Sequence, residues 1–295
     1  MRLHLVDATY ELFRAFYAPR PAVYSTDGRD LTATWGLVEN LLAILREEGG
    51  THLGAATDRV IESFRNDLYA GYKTGAGVDP ILFAQFPIAE VAIEALGIVL
   101  WPMVPYEADD AIATAVARWA DDPAVTQILI CSPDKDLAQC VRGERVVLLD
   151  RRRRLTYDEP GVIAKWGVRP TSIPDLLALV GDAADGYPGL PGWGAKSAAA
   201  VLLRYGSLDQ IPPRAADWDV PVRGAATLAA TLRDRRDEAF LYRTLAQLRT
   251  DAPVPQRTVD ELGWRGATRA RWLAFCDGIG LPRLRGRPHR WSEDG

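Results

Sequence analysis

The sequence predicts an α/β protein in which helices flank a mostly parallel sheet and a helical region follows. Short apolar runs alternate with stretches of helical periodicity in the first half of the chain, and this order favours parallel strands joined by helices. After about Thr156 the pattern changes to short helices broken by Pro and Gly, which indicates a second, helical region. The predicted strands are Arg2–Val6, His52–Thr57, Ile98–Trp101, Ile128–Cys131 and Arg145–Leu149.

The helices between these strands follow from apolar spacing and from start and stop signals. Ala8–Ala18 carries apolar side chains at helical spacing. Trp35–Glu48 is predicted to be a long helix because two glycines end its pattern. An Asp-Pro pair begins a further helix that is predicted to span Asp79–Leu96.

The segment before that last helix combines basic and aromatic residues with glycines. Arg65, Tyr69 and Lys73 are spaced by four residues, so a helix here would place all three on one face. Three glycines between residues 71 and 77 weaken such a helix, which favours a mobile segment.

The composition is that of an ordinary globular protein, with 48% hydrophobic and 25% charged residues among 295. The three cysteines have neither metal-binding nor disulfide spacing, so we expect reduced thiols in the cytoplasm. We find no signal peptide and no apolar run long enough to span a membrane, and no membrane partner is expected. The net charge of −4 does not exclude nucleic acid, because many acids cluster at strand ends and leave a basic balance elsewhere.

Acidic side chains follow the predicted strands where each strand ends. The carboxyl ends of parallel strands meet at one edge of a sheet, where ligands gather. Two further acids, spaced i, i+3, come from the helical second half. Divalent cations prefer oxygen ligands, and nine carboxylates are enough for two ions with water in their outer shells. The candidate metal ligands are Asp7, Asp58, Glu107, Asp109, Asp110, Asp134, Asp136, Asp182 and Asp185.

Each acid taken alone also has a structural explanation. Asp7 or Asp58 after a strand would serve as a helix N-cap, and the acids of 107–110 would favour a helix N-terminus. Asp134 and Asp136 would suit a turn around a proline. Five independent segments that bring acids to one predicted edge favour the metal site.

A glycine-rich turn, GLPGWGAKS at residues 189–197, approaches the phosphate-binding pattern GxxxxGK[ST] without matching it. One extra residue, Ala195, separates the last glycine from the lysine, and two prolines remove backbone donors, so nucleotide binding is not favoured. A helix–hairpin–helix turn fits better, since glycines let the backbone approach a DNA strand and helix amides face a phosphate. A plain tight turn between packed helices stays an open alternative. The DNA-binding candidates are Gly192, Gly194, Lys196 and Ser197.

Five stretches together resemble the 5′-nuclease, or flap endonuclease, family, in the bacterial branch found at the N-terminus of DNA polymerase I and as stand-alone exonucleases. They are LVDATYELFRAFYA, DRVIESFRNDLYAGYK, PYEADDAIATAVA, SPDKDLAQCV and GDAADGYPGLPGWGAKSAAAVLLRYGSLDQIP, in family order from Leu5 to Pro212. The resemblance implies a PIN-like α/β catalytic domain over residues 1–170, with a helical arch at about 60–95. It implies a helical DNA-binding region over residues 171–295, with a helix-three-turn-helix at about 181–210.

The resemblance also implies roles for individual residues. The seven acids from Asp7 to Asp136 would surround a first metal ion. Asp182 and Asp185 would hold a second, together with Asp134 and Asp136. Arg65 and Lys73 match the family's basic residues at the base of the arch, which contact the scissile phosphate. The glycine-rich turn of relatives can also hold a monovalent cation, so K⁺ is a further candidate.

The predicted function is a structure-specific 5′-3′ exonuclease or flap endonuclease that hydrolyses DNA in replication and repair with two Mg²⁺ or Mn²⁺ ions. We expect a monomer that acts on 5′ flaps, nicks and overhangs in the cytoplasm at the nucleoid, with RNA–DNA hybrids as an open question. A PIN-type ribonuclease and a non-catalytic binder of DNA structures are the alternatives. Cleavage of RNA alone would favour the first, and DNA binding without cleavage would favour the second.

Overall fold

The computed structural model describes residues 1–47 and 49–293. The predicted helix end at Glu48 lies outside the described residues. The strands are β1 (Arg2–Asp7), β2 (His52–Asp58), β3 (Val99–Met103), β4 (Gln127–Cys131), β5 (Val146–Asp150) and β6 (Leu155–Tyr157). The α-helices are α1 (Ala8–Tyr17), α2 (Thr32–Glu47), α3 (Phe64–Leu68), α4 (Pro80–Phe83), α5 (Phe86–Ala95), α6 (Ala108–Trp119), α7 (Glu159–Trp166), α8 (Ile173–Val180), α9 (Ala195–Tyr205), α10 (Ala225–Asp234), α11 (Arg236–Ala246) and α12 (Arg269–Gly278).

The chain forms two compact units that alternate along the sequence. The first unit comprises Met1–Ile61, Gly75–Ser132 and Thr250–Gly295, and the second comprises Glu62–Thr74 and Pro133–Arg249. The segments of the two units alternate along the chain, and the predicted domain boundary near residue 170 stays a prediction. Periodicity reveals where elements begin and end, but it does not reveal which distant segments pack together.

The first unit contains a four-stranded parallel sheet in the order β3-β2-β1-β4. Leu5 of β1 lies opposite Gly54 of β2 on one side and opposite Ile130 of β4 on the other. The central strand is almost wholly buried, as expected for a parallel strand covered on both faces. This sheet confirms the prediction of a mostly parallel α/β fold.

The last described stretch of the chain packs into the first unit. The indole N–H of Trp264 donates to the carbonyl of Leu96 at 2.8 Å, and Arg118 donates to the carbonyl of Val254 at 2.7 Å. The Trp101 indole also donates to Gln256 at 2.8 Å. Residues 250–293 therefore support the α/β unit, although the sequence groups them with the helical region.

The second unit contains the antiparallel pair β5–β6 and the helices α7 to α11. α8 is almost entirely buried, and it packs against α11. Arg243 of α11 forms ion pairs with Asp175 of α8, at 3.6 Å, and with Asp209 in the 3₁₀ turn Leu208–Gln210. Burial raises the pKa of Asp175 to about 6, although the Arg243 charge opposes that rise.

The structure shows how the chain runs through residues 60–96 in two places. α3 ends at Leu68, and Tyr69 has an extended backbone, so Arg65, Tyr69 and Lys73 do not share one helix face. Glycines weaken a helix beyond that point, and Gly77 has a positive φ of 99°. The helix predicted over Asp79–Leu96 is two helices, α4 and α5; a proline in the first turn of α5 lacks the amide hydrogen that a continuous helix needs.

Arg243→Gln is expected to lower the free energy of unfolding by about 2–4 kcal/mol at pH 8, because Asp175 stays buried without its cation. The raised pKa means that folded Asp175 binds its proton more tightly than in the unfolded chain, where the pKa is near 3.8. Its contribution to stability is therefore complete below about pH 4 and is lost as the pH rises through about 6. The loss in free energy of unfolding caused by Arg243→Gln should be smaller at pH 5 than at pH 8, as measured by urea unfolding.

A matched control is Arg214→Gln, which breaks an exposed ion pair with Asp217 in the same unit. This control is expected to change the stability little at either pH, because exposed ion pairs contribute little. If Arg243→Gln lowers the free energy of unfolding equally at the two pH values, the assignment of the pH dependence to Asp175 is contradicted.

Candidate functional site

Three aspartates of the second unit converge in the structure. One carboxylate oxygen from each of Asp136, Asp182 and Asp185 lies within 4.8 Å of the other two, and all three residues are buried. Asp136 begins a 3₁₀ helix, whereas Asp182 and Asp185 lie in the loop that follows α8. The last two thus come from the helical second half of the chain, as expected, and they lie close to Asp136. We call these residues the aspartate triad.

The loop after α8 is held in place by backbone contacts that demand glycine. Asp182 and Tyr187 form a β-bridge, with the amide of Asp182 donating to the Tyr187 carbonyl at 2.9 Å. Gly186 has a φ of 88°, and a Cβ there would lie 2.2 Å from the carbonyl oxygen of Gly71. The amide of Lys73 donates to the Asp185 carbonyl at 2.9 Å. The loop is thus fastened to the segment that carries Lys73.

Two lysines supply positive charge to the triad. Lys73 Nζ lies 3.1 Å from Asp185 Oδ1, and Lys135 Nζ lies 2.6 Å from Asp182 Oδ2. The pKa of Lys135 is raised. Burial alone would lower it, but the hydrogen bond to Asp182 and the charges of the nearby carboxylates outweigh the effect of burial. Sequence reasoning identified Lys73 and missed Lys135. The available signal was the Asp-Lys-Asp order at residues 134–136, which places a cation between two candidate ligands.

The triad has the properties of a cation site. The pKa of Asp136 is raised by burial and by the charges of Asp134, Asp185 and Asp182. Its Oδ1 atom is buried without a hydrogen-bond partner in the part of the chain that the structure describes. An orphaned carboxylate oxygen beside two further carboxylates costs free energy unless a cation binds it. The residues present therefore fit a divalent ion.

Asp134 plays a different part from its neighbour in the structure. Its Oδ1 atom accepts a hydrogen bond from the amide of Asp136 at 3.0 Å. Asp134 therefore shapes the turn that presents Asp136 and adds negative charge to it. Its role as a metal ligand stays a prediction.

The other five predicted ligands belong to the first unit, at the carboxyl ends of β1 and β2 and the start of α6. Asp7 accepts from the amide of Tyr10 at 2.8 Å and caps α1, as the structural explanation expects. Asp58 accepts from the amide of Ala108 at 2.7 Å, which joins the end of β2 to the start of α6. The structure thus brings these acids to one edge of the parallel sheet, and metal binding there stays a prediction.

The start of α6 is rich in carboxylates that are held by the backbone. Asp110 is fully buried and accepts from the amide of Glu107 at 3.0 Å. Glu107 is also buried, whereas Asp109 is partly exposed. The geometry matches both the helix-start explanation and a ligand role.

Arg65 is only 1% exposed, which is unusual for an arginine. Its Nε donates to the carbonyl of Leu245 at 2.7 Å, and a second nitrogen donates to the carbonyl of Gln247 at 3.2 Å. These bonds fasten α3 to the end of α11. The structure therefore favours a positioning role over the predicted direct contact with a phosphate.

The glycine-rich turn leads into α9, as predicted. Gly192 has a φ of 83°, which favours glycine, and Gly194 is the N-cap residue of the helix. The hydroxyl of Ser197 donates to the Gly194 carbonyl at 3.0 Å and accepts from its amide at 3.2 Å. Ser197 is thereby engaged in closing the turn, while the Lys196 side chain is exposed.

None of the helices in the described ranges is long and apolar enough to cross a membrane.

Two family models together match most of the chain. The 5′-3′ exonuclease N-terminal resolvase-like domain matches residues 2–167, and the 5′-3′ exonuclease C-terminal SAM fold matches residues 168–270. DNA polymerase I of Mycobacterium leprae is 36% identical over 290 residues, covering 97% of this chain and 31% of that protein. DNA polymerase I of Rhizobium leguminosarum is 37% identical over 260 residues, covering 85% and 25%. The chain spans about a third or less of these relatives.

Solved structures share the fold at low sequence identity. The zinc-bound 5′-exonuclease of bacteriophage T5 has a TM-score of 0.67 at 16% identity, covering 97% of this chain and all of that one. The catalytic core of Rad2 in complex with DNA substrate has a TM-score of 0.60 at 15% identity, covering 94% and 87%. At such identities the likeness supports the α/β fold with its helical region.

Asp136→Asn is expected to stabilise the metal-free protein by about 1 kcal/mol, or about 2–4 °C in melting temperature, because it removes a buried, repelled charge. The same change should shrink the rise in melting temperature that Mn²⁺ produces, because a ligand that binds the folded state stabilises it. Thermal unfolding in EDTA and in Mn²⁺ measures both effects. Asp217→Asn, at an exposed acid, is the control, and an undiminished response of Asp136→Asn to Mn²⁺ would contradict the cation site.

Proposed function

This chain belongs to the 5′-3′ exonuclease family, and on that premise we propose that it cuts DNA at 5′ flaps, nicks and overhangs with two divalent cations. The family models confirm the predicted membership of this family, while dependence on a metal and a role in replication and repair are part of the proposal. The substrate preference and the number of ions are our proposal. One observation carries it: the buried aspartate triad with an orphaned oxygen.

The acids divide into two groups of proposed ligands. Asp136, Asp182 and Asp185, supported by Asp134, would hold one ion in the second unit. The five acids at the sheet edge of the first unit would hold the other. Bound divalent cations would lower the pKa of an attacking water and stabilise the charge of a transferring phosphoryl group. We favour Mg²⁺ or Mn²⁺, since the donors are all oxygens.

Lys73 is the proposed phosphate-binding residue. Its ammonium group already lies among the carboxylates, 3.1 Å from Asp185. A fixed cation there would stabilise charge that develops on the scissile phosphate. Arg65 would act through α3, by holding the segment that leads to Lys73 against the end of α11.

The glycine-rich turn is the proposed contact with the duplex. Gly192 and Gly194 leave its surface free of side chains, and Lys196 adds positive charge. Ser197 would contribute by holding the turn closed. Contacts to the backbone position a duplex without reading its sequence, so we propose a structure-specific enzyme. K⁺ at this turn, RNA–DNA hybrids as substrates, a monomeric state and association with the nucleoid belong to the same proposal.

Asp182→Ala and Lys73→Ala are each expected to lower the cleavage rate of a 5′-flap duplex in Mg²⁺ by at least about a hundredfold. The first change removes an ion ligand and the second removes a cation beside the reacting phosphate. The amounts of product formed over time from end-labelled flap, nicked and overhang duplexes measure the rates, and the product lengths give the cleavage positions. Asp217→Ala is the surface control.

The outcomes of that assay separate the alternatives. A single metal-binding site together with normal cleavage by Asp182→Ala would contradict the two-ion proposal. Cleavage of RNA alone would favour a PIN-type ribonuclease. DNA binding without cleavage in either metal would favour a non-catalytic binder.

Lys135→Met is expected to tighten Mn²⁺ binding by up to about tenfold, because the Lys135 ammonium group competes with a metal ion for Asp182. Isothermal titration calorimetry measures the affinity. Lys165→Met is the control, since that lysine contacts only aromatic rings in the described structure. Weaker Mn²⁺ binding by Lys135→Met would show instead that the lysine supports the ion's ligands.

A further inference from the structure

A broad groove opens beside the glycine-rich turn in the second unit. Its volume is about 800 Å³. One wall is formed by residues 192–200 of the turn and α9, and the other by residues 221–228, which lead into α10. The first wall contains the predicted DNA-binding residues, whereas the second contains none of them.

The charges that line the groove are all positive. Lys196 on the first wall and Arg223 on the second are its charged residues, and the lining contains no acid. Both side chains are exposed, and neither lies within 4.0 Å of a carboxylate in the described chain. A pair of uncompensated cations in a protein of net charge −4 favours an anionic partner.

Three other exposed arginines of the same unit each have an acidic partner. Arg204 pairs with Asp219, Arg214 pairs with Asp217 at 2.9 Å, and Arg235 pairs with Glu238 at 3.2 Å. These side chains are as exposed as Arg223, yet each has an acidic partner. Their positive charge is therefore largely cancelled, while that of the groove is not.

Contacts within the protein hold the two walls together, so the groove is already formed before a partner binds. The indole N–H of Trp193 donates to the carbonyl of Leu228 at 3.2 Å, and its ring packs 6.1 Å from that of Trp218. Gly194 and Gly224 have no atom within 4 Å of the position that a Cβ would take, so both positions face open space. A bulky, rigid partner can therefore approach the backbone of both walls.

The lining identifies which part of a nucleic acid fits. It has no Asn, Gln, Asp or Glu that could read a base edge and no aromatic ring on which a base could stack. It offers two cations, two hydroxyl groups and small apolar residues, which suit phosphates and deoxyribose. The groove is also open to solvent, unlike a pocket that encloses a mononucleotide.

We propose that residues 221–227, which include Arg223, form a second wall of the duplex-binding site. Lys196 and Arg223 then contact the sugar-phosphate backbone of one duplex from opposite walls of the groove. This inference rests on the proposed nuclease function and deepens it, because it assigns duplex binding to a segment beyond the glycine-rich turn.

The test is DNA binding by Arg223→Ala, measured by fluorescence anisotropy with a labelled 5′-flap duplex in EDTA over a series of salt concentrations. Loss of one phosphate contact is expected to weaken binding about tenfold and to reduce the salt slope by about 1. Arg223→Lys should retain the slope, because it keeps the charge. Arg214→Ala, which removes an equal charge from an exposed ion pair, should stay within about twofold of wild type.

Two results would overturn the inference. They are an affinity and salt slope for Arg223→Ala that equal those of Arg214→Ala, and an effect confined to a single-stranded probe. Because EDTA prevents metal-dependent cleavage, binding is independent of catalysis. If the wild type binds DNA through Arg223 but does not cleave it, the proposed nuclease function is refuted and the groove assignment holds. If the wild type cleaves normally and Arg223→Ala binds DNA as well as the wild type does, the groove assignment is refuted and the nuclease function holds.

Discussion

The repulsion among three buried carboxylates is the constraint on which the second unit depends. Asp136, Asp182 and Asp185 lie close enough to share one cation, and burial strengthens their mutual repulsion. Lys73 and Lys135 offset part of that charge from the sides. The negative charge that these lysines do not balance is evident at Asp136, which has a carboxylate oxygen without a hydrogen-bond partner in the described chain and a raised pKa. The same imbalance that makes this region costly to fold makes it receptive to a divalent ion.

The surrounding backbone explains how such a cluster persists. The loop that carries Asp182 and Asp185 is tied to Gly71 and Lys73 by contacts too close for any side chain at Gly186. Tyr187 forms a backbone bridge with Asp182, and burial raises the pKa of its hydroxyl group well above the usual value, with the three aspartates adding to the effect. A neutral, buried ring at this place excludes water without adding charge. Tight packing therefore holds the carboxylates in position, where a looser loop would let them move apart.

Local patterns were sufficient to predict the parallel sheet and the acids at its edge. An acid that follows an apolar strand, such as Asp7 or Asp58, is predictable because parallel strands place their carboxyl ends together. The helix after the glycine-rich turn was equally visible, since glycine caps and apolar spacing are local signals. These features depend on neighbours within a few residues.

The remaining features depend on partners that lie far along the chain. Arg65 resembles a surface arginine in sequence, and only the carbonyls of Leu245 and Gln247 explain its burial. Lys135, between two acids, resembles a solvated charge until Asp182 approaches it. Arg223 differs from Arg214 only because one has an acidic partner and the other faces a groove. The periodicity of the sequence does not predict such contacts between distant residues.

The order of segments along the chain also ties this chemistry to protein synthesis. The second unit takes Glu62–Thr74 from early in the sequence and completes itself only with residues up to Arg249. Arg65 must wait for the carbonyl of Leu245, which lies 180 residues later. A nascent chain thus carries Lys73 long before the ribosome has supplied the carboxylates around it. Contacts of such sequence separation form late in folding, so the segment that carries Lys73 is anchored only after residues up to Leu245 have been made.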